Sequence, residues 1–148
     1  MILLYHIIVY IRSMLTKKTK YGLKALAYLA KKGSSCPVSI AEIAENENIS
    51  KKYLESILLS LRKSGIVNSK KGKTGGYYLL KSPKDIIMAS VIRELEGPIA
   101  MLPCVSLNFY EKCDDCPNEN HCSAHKLMIQ VRDSTLKVLE NNSLADYV

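Results

Sequence analysis

The stretch "EKCDDCPNENHCSAH", residues 111 to 125, holds three of the chain's five cysteines and two of its three histidines. With Cys104 just upstream, the candidate ligands are Cys104, Cys113, Cys116, Cys122 and His125. Their intervals are Cys-x8-Cys-x2-Cys-x5-Cys-x2-His. Thiolates at short spacing hold zinc or an iron–sulfur cluster, and the intervals alone do not choose between them. Thiols without metal that respond to oxidation are the third possibility. His121 reads as a polar surface residue. Cys36, alone before Pro37, reads as structural.

The surroundings bound this chemistry. The chain has 148 residues, a net charge of +7, 47% apolar residues and 24% charged ones. This is an ordinary globular composition whose basic excess favours a polyanionic partner. No serine, histidine and acid form a recognisable nucleophile motif, so no enzyme is expected. "GKTGG" contains Gly-Lys-Thr, but Val67 stands where a P-loop needs its first glycine and no helix follows, so no phosphate loop is expected. The N-terminal "MILLYHIIVYIRS" is apolar for about ten residues, too short to span a bilayer. It lacks the basic region and cleavage site of a secretory signal. We therefore expect Met14 to be the natural start and residues 1–13 to be a non-native or disordered extension, with a short membrane-surface anchor as the alternative. The expected compartment is the reducing cytoplasm, where cysteines serve as metal ligands or redox sensors rather than disulfides.

The elements that must position the cysteines follow from periodicity. Residues 16–32 carry a broad apolar face of helical period, ended by Gly33-Ser34-Ser35. "SIAE" at 39–42 is a capping box opening a short helix, and "ENEN" is a polar turn. Ser50 caps a third helix whose Leu54, Ile57, Leu58 and Leu61 form a buried stripe, and Gly65 sits where a C-terminal cap belongs. Two β-prone runs, "IVNS" and "YYLL", flank the basic, glycine-rich loop "KKGKTGG". Ser82-Pro83 opens another helix with proline at its first position, and Gly97-Pro98 stops it. A last helix runs from near Cys122 to about Asn141. Helix, short helix, turn, helix and hairpin is the order of a winged helix-turn-helix. The expected fold is mainly α with a small β wing, completed by a long C-terminal helix.

Nine Lys or Arg and one acid, Glu55, lie between Ile49 and Lys84, before Asp85. Ser50, Lys51, Lys52 and Tyr53 open the third helix, the end that normally meets base edges or phosphates. A carboxylate beside phosphates costs affinity, so Glu55 is best used in accepting from a cytosine amino group. Arg62 lies off the buried stripe. Lys70, Lys71 and Lys73 ring the hairpin tip, where Gly72, Gly75 and Gly76 permit a tight turn and a close approach to a groove. The plainer alternative is a solvated helix face and a charged loop.

Along the last helix Ala124, Met128, Val131, Thr135 and Val138 make a narrow heptad-like seam, widened by Leu127 and Leu139. Such a helix needs a partner, either its own domain or a second copy. A two-fold dimer sets two reading helices roughly 34 Å apart and implies a palindromic operator.

"LTKKTKYGLKALAYLA", "ISKKYLESILLSLRKSGIVNSKKGKTGGYYL" and "IRELEGPIAMLPCV" resemble the Rrf-two (Rrf2) family of bacterial winged-helix regulators, over residues 14 to about 145. The resemblance implies a dimeric DNA-binding regulator, usually a repressor, with a long C-terminal dimerisation helix. By position, Lys52, Tyr53 and Glu55 match the family's base-reading residues. Lys71 stands where the family's wing carries a minor-groove arginine, and lysine enters a narrow groove less favourably. Cluster-binding members use three cysteines at x5 intervals, one with a histidine beyond. Here Cys116, Cys122 and His125 reproduce the last three positions, while Tyr110 occupies the first and cannot serve. Cys104 or Cys113 must substitute. The aspartate ligand of another branch is Lys20 here, which excludes that mode.

The resulting expectation has four segments: the extension 1–13, a DNA-binding domain at 14–97, a cysteine-rich sensor loop at 98–121, and a dimerisation helix and tail at 122–148. The expected partners are double-stranded DNA and a second copy, with no membrane and no small-molecule substrate evident. The expected cofactor is an iron–sulfur cluster, 2Fe–2S or 4Fe–4S, held by Cys104, Cys116 and Cys122 with Cys113 or His125 completing it. Zinc or no metal are the alternatives, and the alternative function is a zinc-stabilised DNA- or protein-binding module without a sensing role.

Overall fold

Thr16 opens the first helix, α1 (Lys17–Lys32), by accepting from the Lys18 amide at 3.2 Å. The structure, a computed structural model, describes residues 15–33 and 36–148. The expectations for residues 1–13 lie outside the described residues. So do Met14, Ser34 and Ser35.

Ser39 caps α2 (Ile40–Glu47), accepting from the Glu42 amide at 3.1 Å. The Glu42 carboxylate does not fold back as a capping box would have it. It accepts from the Tyr28 hydroxyl and pairs with Lys32, each at 2.9 Å. The end of α1 thus offers Glu42 a charged donor, stronger than a neutral amide. The "ENEN" turn is also shorter than expected. Lys24 donates to the Glu47 carbonyl at 2.6 Å and pairs with its carboxylate at 3.0 Å, a cation on a helix C-terminus. The helix therefore continues to Glu47, and Asn48 alone leaves it in the left-handed region.

Three residues, Asn48 to Ser50, turn the chain into α3 (Lys51–Lys63). Ser50 accepts from the Tyr53 amide at 3.4 Å. Leu54, Ile57, Leu58 and Leu61 are completely buried, as their spacing requires. Gly65, at φ 70, ends α3 with a Schellman pair: its amide reaches the Arg62 carbonyl at 3.1 Å, and that of Ile66 reaches Leu61 at 3.0 Å.

Strands β1 (Val67–Lys70) and β2 (Gly76–Leu79) pair antiparallel, Val67 opposite Leu79 and Lys70 opposite Gly76. Val38 extends this wing, exchanging two 2.8 Å backbone bonds with Tyr77. Gly76 is required by that contact, because a Cβ there would stand 2.3 Å from the Val38 carbonyl oxygen. The glycine expected to approach a groove closely is thus used inside the fold.

Pro83 does not open the fourth helix. Pro83–Asp85 is a separate 3-10 turn, and α4 (Met88–Glu96) begins three residues later. The cause is the C-terminal tail. The Leu144 amide bonds the Ile86 carbonyl at 2.8 Å and the Met88 amide bonds Asn142 at 2.9 Å, holding Ile86 and Ile87 extended. Leu144 is buried in the same core as α1 and α3. Residues 142–147 therefore pack with the winged-helix core rather than apart from it.

The last helix, α5 (Ser123–Glu140), leans on the head through buried Leu136 and an Arg93–Glu140 pair at 2.9 Å. Glu96, at the end of α4, ties the start of α1: it accepts from the Thr16 amide at 2.8 Å, the Thr16 hydroxyl at 2.6 Å and the Thr19 hydroxyl. Burial works to raise this carboxyl, but those hydrogen bonds prevail and hold it below the ordinary carboxylate range. Among the described residues no helix is long and apolar enough to cross a membrane.

Candidate functional site

Two regions carry the polar chemistry. The first is the start of α3 together with the wing. The buried stripe of α3 turns Lys51, Lys52 and Glu55 to solvent, and Lys70, Lys71 and Lys73 are exposed at the hairpin tip. Among the described residues, no ion pair involves any of these five lysines. Tyr53 is partly held, edge-to-face on Tyr21 with ring centroids 5.8 Å apart. Arg62 donates to the Ser69 hydroxyl at 3.0 Å and so braces the wing against α3. The Gly75 amide is spent inside the loop, on the Gly72 carbonyl at 3.0 Å. Ser50 is exposed, with its hydroxyl committed to the cap.

The second region is the cysteine segment. Pro103–Val105 forms a 3-10 turn that packs on α5 and buries Cys104. Glu119–His121 forms another, and Cys122 caps α5 by accepting from the His125 amide at 3.4 Å. Cys113 stands near enough to Cys104 for the two thiols to interact. That contact, with burial and the nearby Asp115 and Glu119 charges, pushes the Cys113 thiol above its ordinary pKa. Burial likewise raises the Cys116 thiol, helped by the neighbouring Cys122. The thiols thus stand as two pairs, Cys104 with Cys113 and Cys116 with Cys122. His125 lies beside them, its Nδ1 buried without a hydrogen-bond partner. A buried nitrogen of this kind calls for a partner, and a metal ion is one that fits.

Sequence reasoning missed two residues of this region. The Glu119 carboxylate oxygen lies within 4.8 Å of both the Cys104 sulfur and a His125 ring nitrogen. A carboxylate among closely spaced thiols was the signal available for it. Arg132 was unforeseeable: its guanidinium reaches from α5 to the Val105 carbonyl at 2.7 Å, joining the helix to the Cys104 turn. Cys36, expected to be structural, is exposed and contributes nothing to the core. His121 is exposed, as expected.

A four-helix head, a two-stranded wing with a lysine tip and a long C-terminal helix define a winged helix-turn-helix regulator of transcription. The chain belongs to the Rrf2 family, described as iron-dependent transcriptional regulators, whose model matches residues 15–148. It is 43% identical over 136 residues to an rrf2-like HTH-type transcriptional regulator of Rhodobacter capsulatus, covering 90% of this chain and 91% of that protein. The structure of CymR, the global cysteine regulator of B. subtilis, superposes with a TM-score of 0.74 at 34% identity, covering 90% of this chain and 95% of that one. T. potens IscR superposes with a TM-score of 0.71 at 33% identity, covering 91% and 85%. The family and the curated relative are transcriptional regulators, not enzymes.

Proposed function

We propose that the chain is a homodimeric repressor that binds a palindromic operator, and that chemistry at its cysteine segment sets its affinity for that operator. The carrying observation is the run of exposed lysines, Lys51, Lys52, Lys70, Lys71 and Lys73, that spans the α3 start and the wing without an ion-pair partner among the described residues. Lysines free of protein partners are available to phosphates. Lys52, Tyr53 and Glu55 read bases in the major groove, Lys51, Lys70 and Lys73 hold phosphates, and Lys71 approaches the minor groove. Arg62 acts through the wing it braces.

The second copy docks along α5. Leu127 and Val138 are more than half exposed on this helix. Beside them a cavity of about 160 Å³ opens between α5 and the 98–101 segment, lined by Ile92, Ile99, Met101, Val131 and Thr135. An apolar seam and an adjoining apolar groove suit helix-to-helix association.

The switch lies where the Cys104 turn meets α5 at Arg132. Cys104, Cys113, Cys116, Cys122 and His125 gather at the start of α5, a donor set that suits a metal centre. An iron–sulfur cluster there would draw on Cys104, Cys116 and Cys122, with Cys113 or His125, and would supply a redox-labile link. A change of ligation or oxidation moves α5 against the head, and with it the spacing of the two reading helices.

Operator binding measured against salt tests the DNA reading. Affinity should fall log-linearly with salt. Lys73→Ala should weaken all sequences alike and shallow the slope by about one unit, whereas Glu55→Ala should relax discrimination at one base pair. Salt-independent binding, or no binding to any operator-like duplex, would refute it. Replacing Cys104, Cys116 and Cys122 together with alanine should change the affinity or its redox response. No change in either would refute the switch.

A further inference from the structure

The described residues bring three unlike donors to one point. The Cys104 sulfur, a Glu119 carboxylate oxygen and a His125 ring nitrogen all lie within 4.8 Å of one another. They come from the Pro103–Val105 turn, the Glu119–His121 turn and the first turn of α5. Sequence spacing does not group them, because Glu119 is one unmarked position inside the Cys116-x5-Cys122 interval.

The separation decides what they can hold. Sulfur, nitrogen and oxygen ligands around one tetrahedral ion, each at about 2.0–2.3 Å, stand about 3.3–3.8 Å apart. A triangle with no edge longer than 4.8 Å closes to this by side-chain adjustment. A cluster interposes bridging sulfides and a second iron between its ligands, and so needs a wider cage.

The surroundings are those of a prepared site. Cys104 is 4% exposed, and the His125 Nδ1 is buried with no partner to satisfy it. The Tyr110 hydroxyl donates to Glu119 at 2.9 Å, the kind of outer contact that orients a ligating carboxylate. Cys113, which interacts with the Cys104 thiol from outside the 4.8 Å triangle, can close in to supply a second sulfur.

We propose that Cys104, Glu119 and His125 bind a single divalent transition-metal ion of the zinc or ferrous class, with Cys113 as the fourth ligand. The inference rests on the reading of the cysteine segment as the sensing region, and it puts one ion in a mixed sulfur, nitrogen and oxygen site in place of the iron–sulfur cluster. The thiols lose their protons to solvent as the ion binds, and no electrons move.

Cobalt(II) titration of the reduced full chain without oxygen tests this. One equivalent per chain should give the visible bands of a tetrahedral ion and sulfur-to-cobalt charge transfer, both removed by zinc. Glu119→Gln should weaken binding at least about tenfold, and Tyr110→Phe by a smaller factor. Glu111→Gln, which alters an exposed acid of the same stretch, should leave it unchanged. Helical circular dichroism checks that each variant is folded. The proposal is overturned if no tetrahedral bands appear, if Glu119→Gln binds cobalt as tightly as Glu111→Gln, or if the isolated protein carries iron with acid-labile sulfide. Operator binding by the same samples separates the two readings. Salt-dependent DNA binding with an unaffected Glu119→Gln sinks the metal site alone. Metal binding as expected without DNA binding sinks the regulator reading alone.

Discussion

The winged-helix head and the cysteine segment are built in opposite ways. In the head, one periodic pattern does everything. The stripe of Leu54, Ile57, Leu58 and Leu61 is completely buried, and the same period turns Lys51, Lys52 and Glu55 outward. The exposed basic surface is what remains once the core is satisfied. In the cysteine segment, little period exists, and position is imposed by single long-range bonds: Arg132 on Val105 and Tyr110 on Glu119. The lesson is that a charged surface tolerates a crude positional code, whereas a ligand site needs several turns to converge. The head should therefore fail through its core, and the cysteine segment through individual hydrogen bonds.

The largest expected effect is in the head. Leu58→Ala removes a completely buried side chain and should cost about 2–5 kcal/mol by chemical denaturation, abolishing DNA binding with the fold. A cost under about 1 kcal/mol would break the contrast. Leu144→Ala should cost nearly as much, about 2–4 kcal/mol, although it lies near the C-terminus and far from the head in sequence. If it instead behaved like a surface change, the tail would not belong to the head's core.

Arg132→Met should separate the two regions. It removes the 2.7 Å bond to Val105 but little apolar packing, so stability should drop by only about 1 kcal/mol. The coupling between thiol state and operator affinity should be lost while the affinity itself persists. Unchanged coupling would put the link between the regions elsewhere.

The smallest effect is a pH dependence. The Glu96 carboxyl is held below its ordinary range in the folded chain, where burial is outweighed by the Thr16 and Thr19 hydrogen bonds. Its contribution is fully present above the unfolded value of about 4.3 and is lost as pH falls through the lower folded value. Wild type should therefore melt above Glu96→Gln at pH 7, and the gap should close on acidification below about pH 4. A gap that widened with acid would contradict the sign of the shift.

Local patterns were legible wherever a residue's role depends on its near neighbours. The stripe of α3, the Ser39 and Ser50 caps, the Gly65 terminator and the glycine-flanked wing all follow from 3.6- and 2-residue periods and from backbone sterics, which act over a few residues. Motif spacing likewise carried the Rrf2 resemblance and singled out Cys104, Cys113, Cys116, Cys122 and His125. What the sequence could not reveal depends on partners far along the chain. The tail at Asn142–Leu144 keeps Ile86 and Ile87 extended and delays α4 to Met88. Lys32 and Tyr28 draw Glu42 away from its cap. Val38 turns a wing glycine into a packing requirement. Glu119 meets Cys104 and His125 only after two 3-10 turns and a helix start are folded together. Periodicity sorts side chains between core and solvent. Which carboxylate meets which sulfur is decided by chain crossings that no local period encodes.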